Sequence, residues 1–272
     1  MSIEQTIVRG LAVTSAGYVH YRAAGSGPLL LLLHINQQSS ALYLELIAAL
    51  APAFRVIAPD YPGYGMSDPV DTAPAIADYA RWMVELMDAL GMDTATVLGE
   101  AVGAVIAVEL ARVYPQRIGR AILVNCPYYP DLATADRNHA PLKSGLRPGD
   151  ASGFPVTRTL EFVREHDATH APMQPTQSWM DRINAAQIAA GRNRWQALDA
   201  LHDYPLAAAL RDFTQPALLL MGEHFHYVKH LPDFQASVHN LQTGVVAGAR
   251  FCMTWERADE IARRVTTFLH PE

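Results

Sequence analysis

The sequence predicts an α/β protein: a mostly parallel, doubly wound sheet with a helical segment inserted late in the chain. Three observations predict it. Short continuous apolar runs such as Leu29–Leu33 recur, as strands buried on both faces require. Segments with apolar residues at helical spacing alternate with those runs. The alternation breaks once, between about residues 127 and 206.

Taken in order, QTIVRGLAV and YVHYRAAG read as an opening hairpin, and PLLLLLH as a buried strand. A helix is expected over residues 40–50, then a second buried strand in FRVIAPD. Over 74–90, Ile76, Tyr79, Met83, Met87 and Leu90 follow a helical period, and Gly91 is a good stop. TATVLG reads as a strand, 101–113 as a helix and RAILVN as the next strand. Near the end, PALLLMGE and LQTGVVAG read as strands. Residues 258–269 read as a helix with Ile261, Val265 and Phe268 on one face. Such β-α alternation argues for helices on both faces of a parallel sheet. The interrupting segment, which holds Trp179 and Trp195, reads as a helical cap over one end of that sheet. The carboxyl ends of the strands are where open α/β sheets bind ligands. The expected organisation is therefore a core of residues 1–126 and 207–272 and a cap of 127–206.

Composition narrows the function. Of 272 residues, 50% are hydrophobic and 18% charged, enough for a sizeable core. A net charge of −6 and the lack of a basic run argue against a nucleic-acid partner and a polybasic membrane patch. The two cysteines, Cys126 and Cys252, form no CxxC pair or metal-ligand spacing. The start, MSIEQTIVRG, has no apolar signal core, and the longest apolar run is far short of the ~20 residues a membrane helix needs. A cytoplasmic protein is expected, without cofactor or metal, acting on a small molecule, with a homodimer left open.

The stretch Gly99-Glu100-Ala101-Val102-Gly103 joins a strand to a helix with the spacing of a nucleophile elbow. That sharp turn needs small residues two before and two after its apex. Gly99 and Gly103 meet the requirement with Ala101 at the apex. Placing Glu100 there would leave Leu98 and Val102 as flanks, and neither is small. The apex therefore carries no nucleophile.

With the elbow in view, the chain resembles the α/β-hydrolase superfamily. The resemblance rests on six pieces in order: HYRAAGSGPLLLLLH, VIAPDYPGYGMSDP, VLGEAVGAVIAVELA, YPQRIGRAILVN, QPALLLMGE and ERADEIARRVTTFL. It implies an eight-stranded sheet with a cap inserted after the sixth strand, and a nucleophile, acid and histidine in that order. This sequence departs at each. Ala101 stands at the nucleophile position, Phe225 at the acid position of Gly222-Glu223-His224-Phe225, and Arg250 at the histidine position of Gly248-Ala249-Arg250-Phe251. Asn125 and Cys126, at the alternative acid position, are not carboxylates. An inactivating Ser-to-Ala change would leave acid and histidine in place, so the three vacancies together read as native. The usual His-Gly pair after the third strand reads His34-Ile35, followed by Asn36-Gln37-Gln38-Ser39-Ser40. The resemblance implies that the Val102 N–H survives as an anion-facing donor at a helix N-terminus.

Each candidate residue has two roles open to it. Arg250 is an anion clamp in the pocket, or a salt-bridge partner of Glu223 or Glu100 that closes it. Glu100 is a general acid/base raised by burial, or a buried carboxylate with a neighbouring donor. His34 is a general acid/base or a structural residue. Asn36 and Gln37 donate to a ligand oxygen, or are loop polarity. His224, His226 and His230 are too irregularly spaced for a helical metal site, and His224 or His226 is a candidate pocket base. Tyr128, Tyr129, Trp179, Trp195 and Tyr204 line a cap cavity or pack it. The expected catalytic set is Glu100, His34 and His224. The expected substrate-binding set is Arg250, Asn36, Ala101, Val102, Phe225, Tyr128 and Trp179.

From the vacancies, the leading expectation is an enzyme that forms no acyl-enzyme: a lyase, isomerase or cyclase acting on a small oxygenated apolar or aromatic compound. Two alternatives accompany it. One is a hydrolase using direct water attack; the other is a catalytically silent ligand-binding protein, the substrate or ligand being anionic where Arg250 holds it.

Overall fold

A computed structural model describes residues 7–135 and 175–270. Strands β1 (Val8–Thr14) and β2 (Gly17–Ala24) form the expected hairpin, closed at Thr14 opposite Gly17. Gly17 takes φ 100°, a left-handed value that a side chain would strain. β2 runs antiparallel to β4 (Arg55–Pro59). From there β3 (Leu29–Leu33), β4, β5 (Ala95–Glu100), β6 (Ile118–Val124), β7 (Ala217–Gly222) and β8 (Leu241–Val246) are parallel. The eight strands lie in the order β1-β2-β4-β3-β5-β6-β7-β8.

The two-residue period of a strand explains the continuous apolar runs. In β3, Leu31 and Leu33 enter one core while Leu30 and Leu32 enter the other. The first core is roofed by α2 (Ile76–Ala89) and α3 (Val102–Val113). The second is roofed by α1 (Leu44–Leu50) and, from the far end of the chain, by α9 (Ala258–Leu269). Ile76, Tyr79, Met83 and Met87 are buried as the period of α2 demands, and Gly91 ends that helix at φ 65°. Ile261, Val265 and Phe268 bury the inner stripe of α9.

Between β6 and β7, the described part of the expected cap is helical: α4 (Gln177–Ala190), α5 (Gln196–His202) and α6 (Leu206–Arg211). Residues 136–174 of that segment lie outside the described residues. α6 runs beyond residue 206 and packs Leu206, Ala209 and Leu210 into the first core. Two short helices escape the periodicity: α7 (Leu231–Ser237) and α8 (Met253–Glu256). No helix among the described residues is long and apolar enough to cross a membrane.

Candidate active site

The turn from β5 into α3 is an elbow with Ala101 at its apex, at φ 51° and ψ −114°. A methyl on Gly99 would strike the Gly103 carbonyl, and one on Gly103 would stand 2.9 Å from the His34 carbonyl oxygen and overlap that of Leu33. Both glycines are thus required by close backbone approach. The described non-glycine residues with positive φ are Gln37, Ala101 and Asn125, and they leave the carboxyl ends of the adjacent strands β3, β5 and β6. Each such residue costs roughly 1–3 kcal/mol, and strain of this kind gathers at functional sites.

Close packing at Gly103 brings the loop after β3 against the start of α3. Val102 is the first residue of α3, so its N–H has no acceptor within the helix. Among the described residues neither the Val102 N–H nor the Ile35 N–H makes a hydrogen bond. Ile35 was absent from the expected set. Its signal was positional, since it directly follows His34 where the family has its His-Gly pair, but a backbone donor carries no side-chain mark.

The side chains expected to transfer protons fare differently. His34 is fully buried. Its Nδ1 donates to the Ile35 carbonyl at 2.8 Å, and its Nε2 accepts the Tyr61 N–H at 3.2 Å. Burial pushes its pKa down to about 4, so the ring is neutral and both nitrogens serve the backbone. That engagement argues against acid/base work. Glu100 is also buried and accepts the Thr254 hydroxyl. Burial raises its carboxyl to about 8, against the lowering effect of Thr254, the Met253 N–H and the Asn125 amide. At neutral pH its protonated form predominates, which disfavours a role as base. His224 is partly exposed on the turn after β7, with Nε2 3.9 Å from the Glu223 carboxylate.

Arg250 is buried at 8% exposure and pairs with Glu256 at 3.2 Å, a partner on α8 rather than the expected Glu223 or Glu100. Glu223 instead accepts the Gly248 N–H at 2.8 Å. Phe225 is buried in ring contact with Phe251, 5.9 Å between centroids. Asn36 accepts the Tyr64 hydroxyl at 3.1 Å. Trp179 of α4 is buried and stacks on Trp255 at 4.7 Å, while Ala101, Met180 and Trp255 flank the same core. Tyr128 lies instead against His230 and Phe234, beside α7. No cluster of His, Cys, Asp or Glu that could hold a metal occurs among the described residues. A cavity of about 160 Å³ opens between the loop after β6 and α6, lined by Tyr129, Asp131, Tyr204 and Arg211 among others, and it does not include the elbow.

Comparison with known proteins places these features. The pattern of the alpha/beta hydrolase fold family matches residues 28–258. Haloalkane dehalogenase 2 of Mycobacterium tuberculosis is 31% identical over 219 residues, 77% of this chain and 75% of that protein. Carboxylesterase YbfK of Bacillus subtilis is 26% identical over 267 residues, 94% of this chain and 86% of that one. The solved structure of epoxide hydrolase CorEH superposes with a TM-score of 0.80 over 97% of this chain and 99% of that one, and at 24% identity it shows the shared fold.

These relatives correct the leading functional expectation. Vacant side chains at residues 101, 225 and 250 were taken to favour lyase, isomerase or cyclase chemistry, with hydrolysis by direct water attack and silent binding as the alternatives. The relatives that span most of the chain bear the names of hydrolases. The inference weighed the missing side chains above the backbone donor it had kept at Val102, whose N–H makes no hydrogen bond among the described residues. With its sheet order, its elbow and a family match over residues 28–258, the chain belongs to the alpha/beta hydrolase fold family.

Proposed function

We propose that the protein is a hydrolase that adds water to a small acyl substrate, an ester or amide, without first bonding it to a side chain. The observation that carries this proposal is an elbow kept in its strained form, at φ 51°, with only a methyl at the apex. A carbonyl oxygen lying between Ile35 and Val102 accepts from both N–H groups as it becomes negative, and the N-terminus of α3 adds partial positive charge. Each donor of this kind is worth roughly 10²–10³ in rate. Two oxyanion donors favour an acyl group over a haloalkane, which has no oxygen to stabilise.

In the proposed reaction the water oxygen bonds to the carbonyl carbon while one of its protons passes, through a second water, to the leaving-group atom. Collapse of the tetrahedral intermediate then breaks the bond to the leaving group, which departs as neutral alcohol or amine. No side chain is assigned as base: of the three expected proton carriers His34 is engaged at both nitrogens, Glu100 is mostly protonated at neutral pH, and His224 lies beside Glu223 on the turn after β7. Arg250, committed to Glu256, belongs to the wall of the site rather than to an anion clamp. The test is incubation with a panel of small esters, amides, haloalkanes and epoxides, read by mass spectrometry. Acid plus alcohol or amine from the acyl compounds is expected. A panel in which no compound gains water, or one converted without change of mass, overturns the proposal.

A further inference from the structure

We infer that Glu100 is a positioning residue, a strut that ties the elbow to α8 and, through Trp255 and Trp179, sets the separation of α4 from Ala101. Its contribution to turnover rests on the hydrolase proposal above; the strut itself rests on geometry. Glu100 is the last residue of β5 and immediately precedes the strained apex. Its carboxyl is met by the Thr254 hydroxyl from α8. Asn125, itself at φ 46°, directly follows β6, the strand beside β5. The Asn125 amide donates to the Arg250 carbonyl at 2.8 Å and the Phe251 carbonyl at 3.2 Å, and its oxygen accepts the Gly222 N–H at 2.9 Å. Together these bonds hold the carboxyl ends of β5, β6 and β7 to the segment that leads into α8, while the second Glu100 carboxyl oxygen is buried without a partner.

From α8 the contact passes to the cap. Trp255, next to Thr254, stacks on Trp179 with ring centres 4.7 Å apart and planes 29° from parallel. Stacked aromatic pairs of this kind attract beyond the burial of their faces. α4 is pinned further by Ile183 in the second core and by Arg182, which reaches Glu45 of α1 at 2.7 Å. The path elbow, Glu100, Thr254, Trp255, Trp179, α4 is continuous, and no link of it requires Glu100 to touch substrate. Shortening the strut lets α8 settle and takes Trp255 and α4 with it.

The experiment compares Glu100→Ala, Glu100→Gln and Thr254→Val in a background where Trp82 and Trp195 are phenylalanine, so that emission reports Trp179 and Trp255 alone. Glu100→Ala and Thr254→Val are expected to shift the emission to the red and to increase acrylamide quenching. Glu100→Gln, which keeps shape and hydrogen bonding, is expected to stay at the parent values. On an acyl substrate the first two variants lose about 10- to 100-fold in kcat/KM and Glu100→Gln recovers most of it, as for groups that orient a site through another residue. Parent-like emission and quenching in both folded Glu100→Ala and Thr254→Val overturn the strut, whatever the activity. If Glu100→Ala does not fold, Thr254→Val at the far end of the strut decides alone. The expected spectral changes in a protein that hydrolyses nothing support the strut and remove only the hydrolase proposal.

Discussion

Replacing Glu100 by glutamine tests whether the carboxyl behind the elbow is protonated, and the pH dependence of stability gives the answer. In the unfolded chain the carboxyl titrates near 4.5; in the fold burial raises it to about 8. Between those values the unfolded chain has released a proton that the folded protein still holds, so stability falls as pH rises. At ~1.4 kcal/mol per pH unit, the whole interval amounts to a loss on the order of 5 kcal/mol, complete once pH passes about 8. That is a large share of the roughly 5–15 kcal/mol that holds a typical domain together. Glutamine has no proton to hold. The assay is urea unfolding of both proteins from about pH 5 to pH 9. Their difference isolates this one group from every other titration. The expected difference grows steadily in favour of Glu100→Gln as pH rises and then levels off. A difference independent of pH would refute the reasoning: Glu100 would be ionised throughout and would return as a candidate base.

Three further predictions concern the groups around the elbow. Burial alone would raise the Asp60 carboxyl, but hydrogen bonds from His20, the Ser40 N–H and the Met66 N–H outweigh it and hold it at about 2, against an ordinary 3.8. Its contribution of about 2 kcal/mol is present above pH 3.8 and is lost as pH falls towards 2, so Asp60→Asn should abolish that limb of an acid-denaturation curve. Gly103→Ala forces a methyl against the backbone of Leu33 and His34 and should cost at least the ~1–3 kcal/mol of core overpacking, read as a lower Tm, together with loss of activity. Ala101→Ser should gain no esterase activity and no labelling by a fluorophosphonate, since Arg250 stays charged and cannot take the serine proton. A labelled serine would mean that another base faces the apex.

How much was legible in the sequence depended on whether the signal was local. Leu29–Leu33 declared a strand buried on both faces, and Ile76, Tyr79, Met83 and Met87 declared α2, because burial imposes a period on neighbouring residues. α8, four residues long, is shorter than the window in which a period can be seen. The same limit hid the partners of the site. Thr254 reaches Glu100 across 154 positions, and nothing near either residue announces the other. Arg250 was expected to pair with Glu223 or Glu100, but α8 presents Glu256 to it. The functional expectation went astray for a different reason. Residue identities at 101, 225 and 250 describe what side chains can do, whereas the Ile35 and Val102 N–H groups owe their position to the backbone, through Gly99 and Gly103.

The central claim, hydrolysis by water without a covalent intermediate, is tested most directly by intact-protein mass spectrometry during turnover of an activated small ester. Free acid and alcohol should accumulate from the first turnover without a burst, while the protein keeps its unmodified mass at every time. A transient species heavier by the acyl group would contradict the account, and mapping its site would identify the nucleophile that Ala101 does not supply.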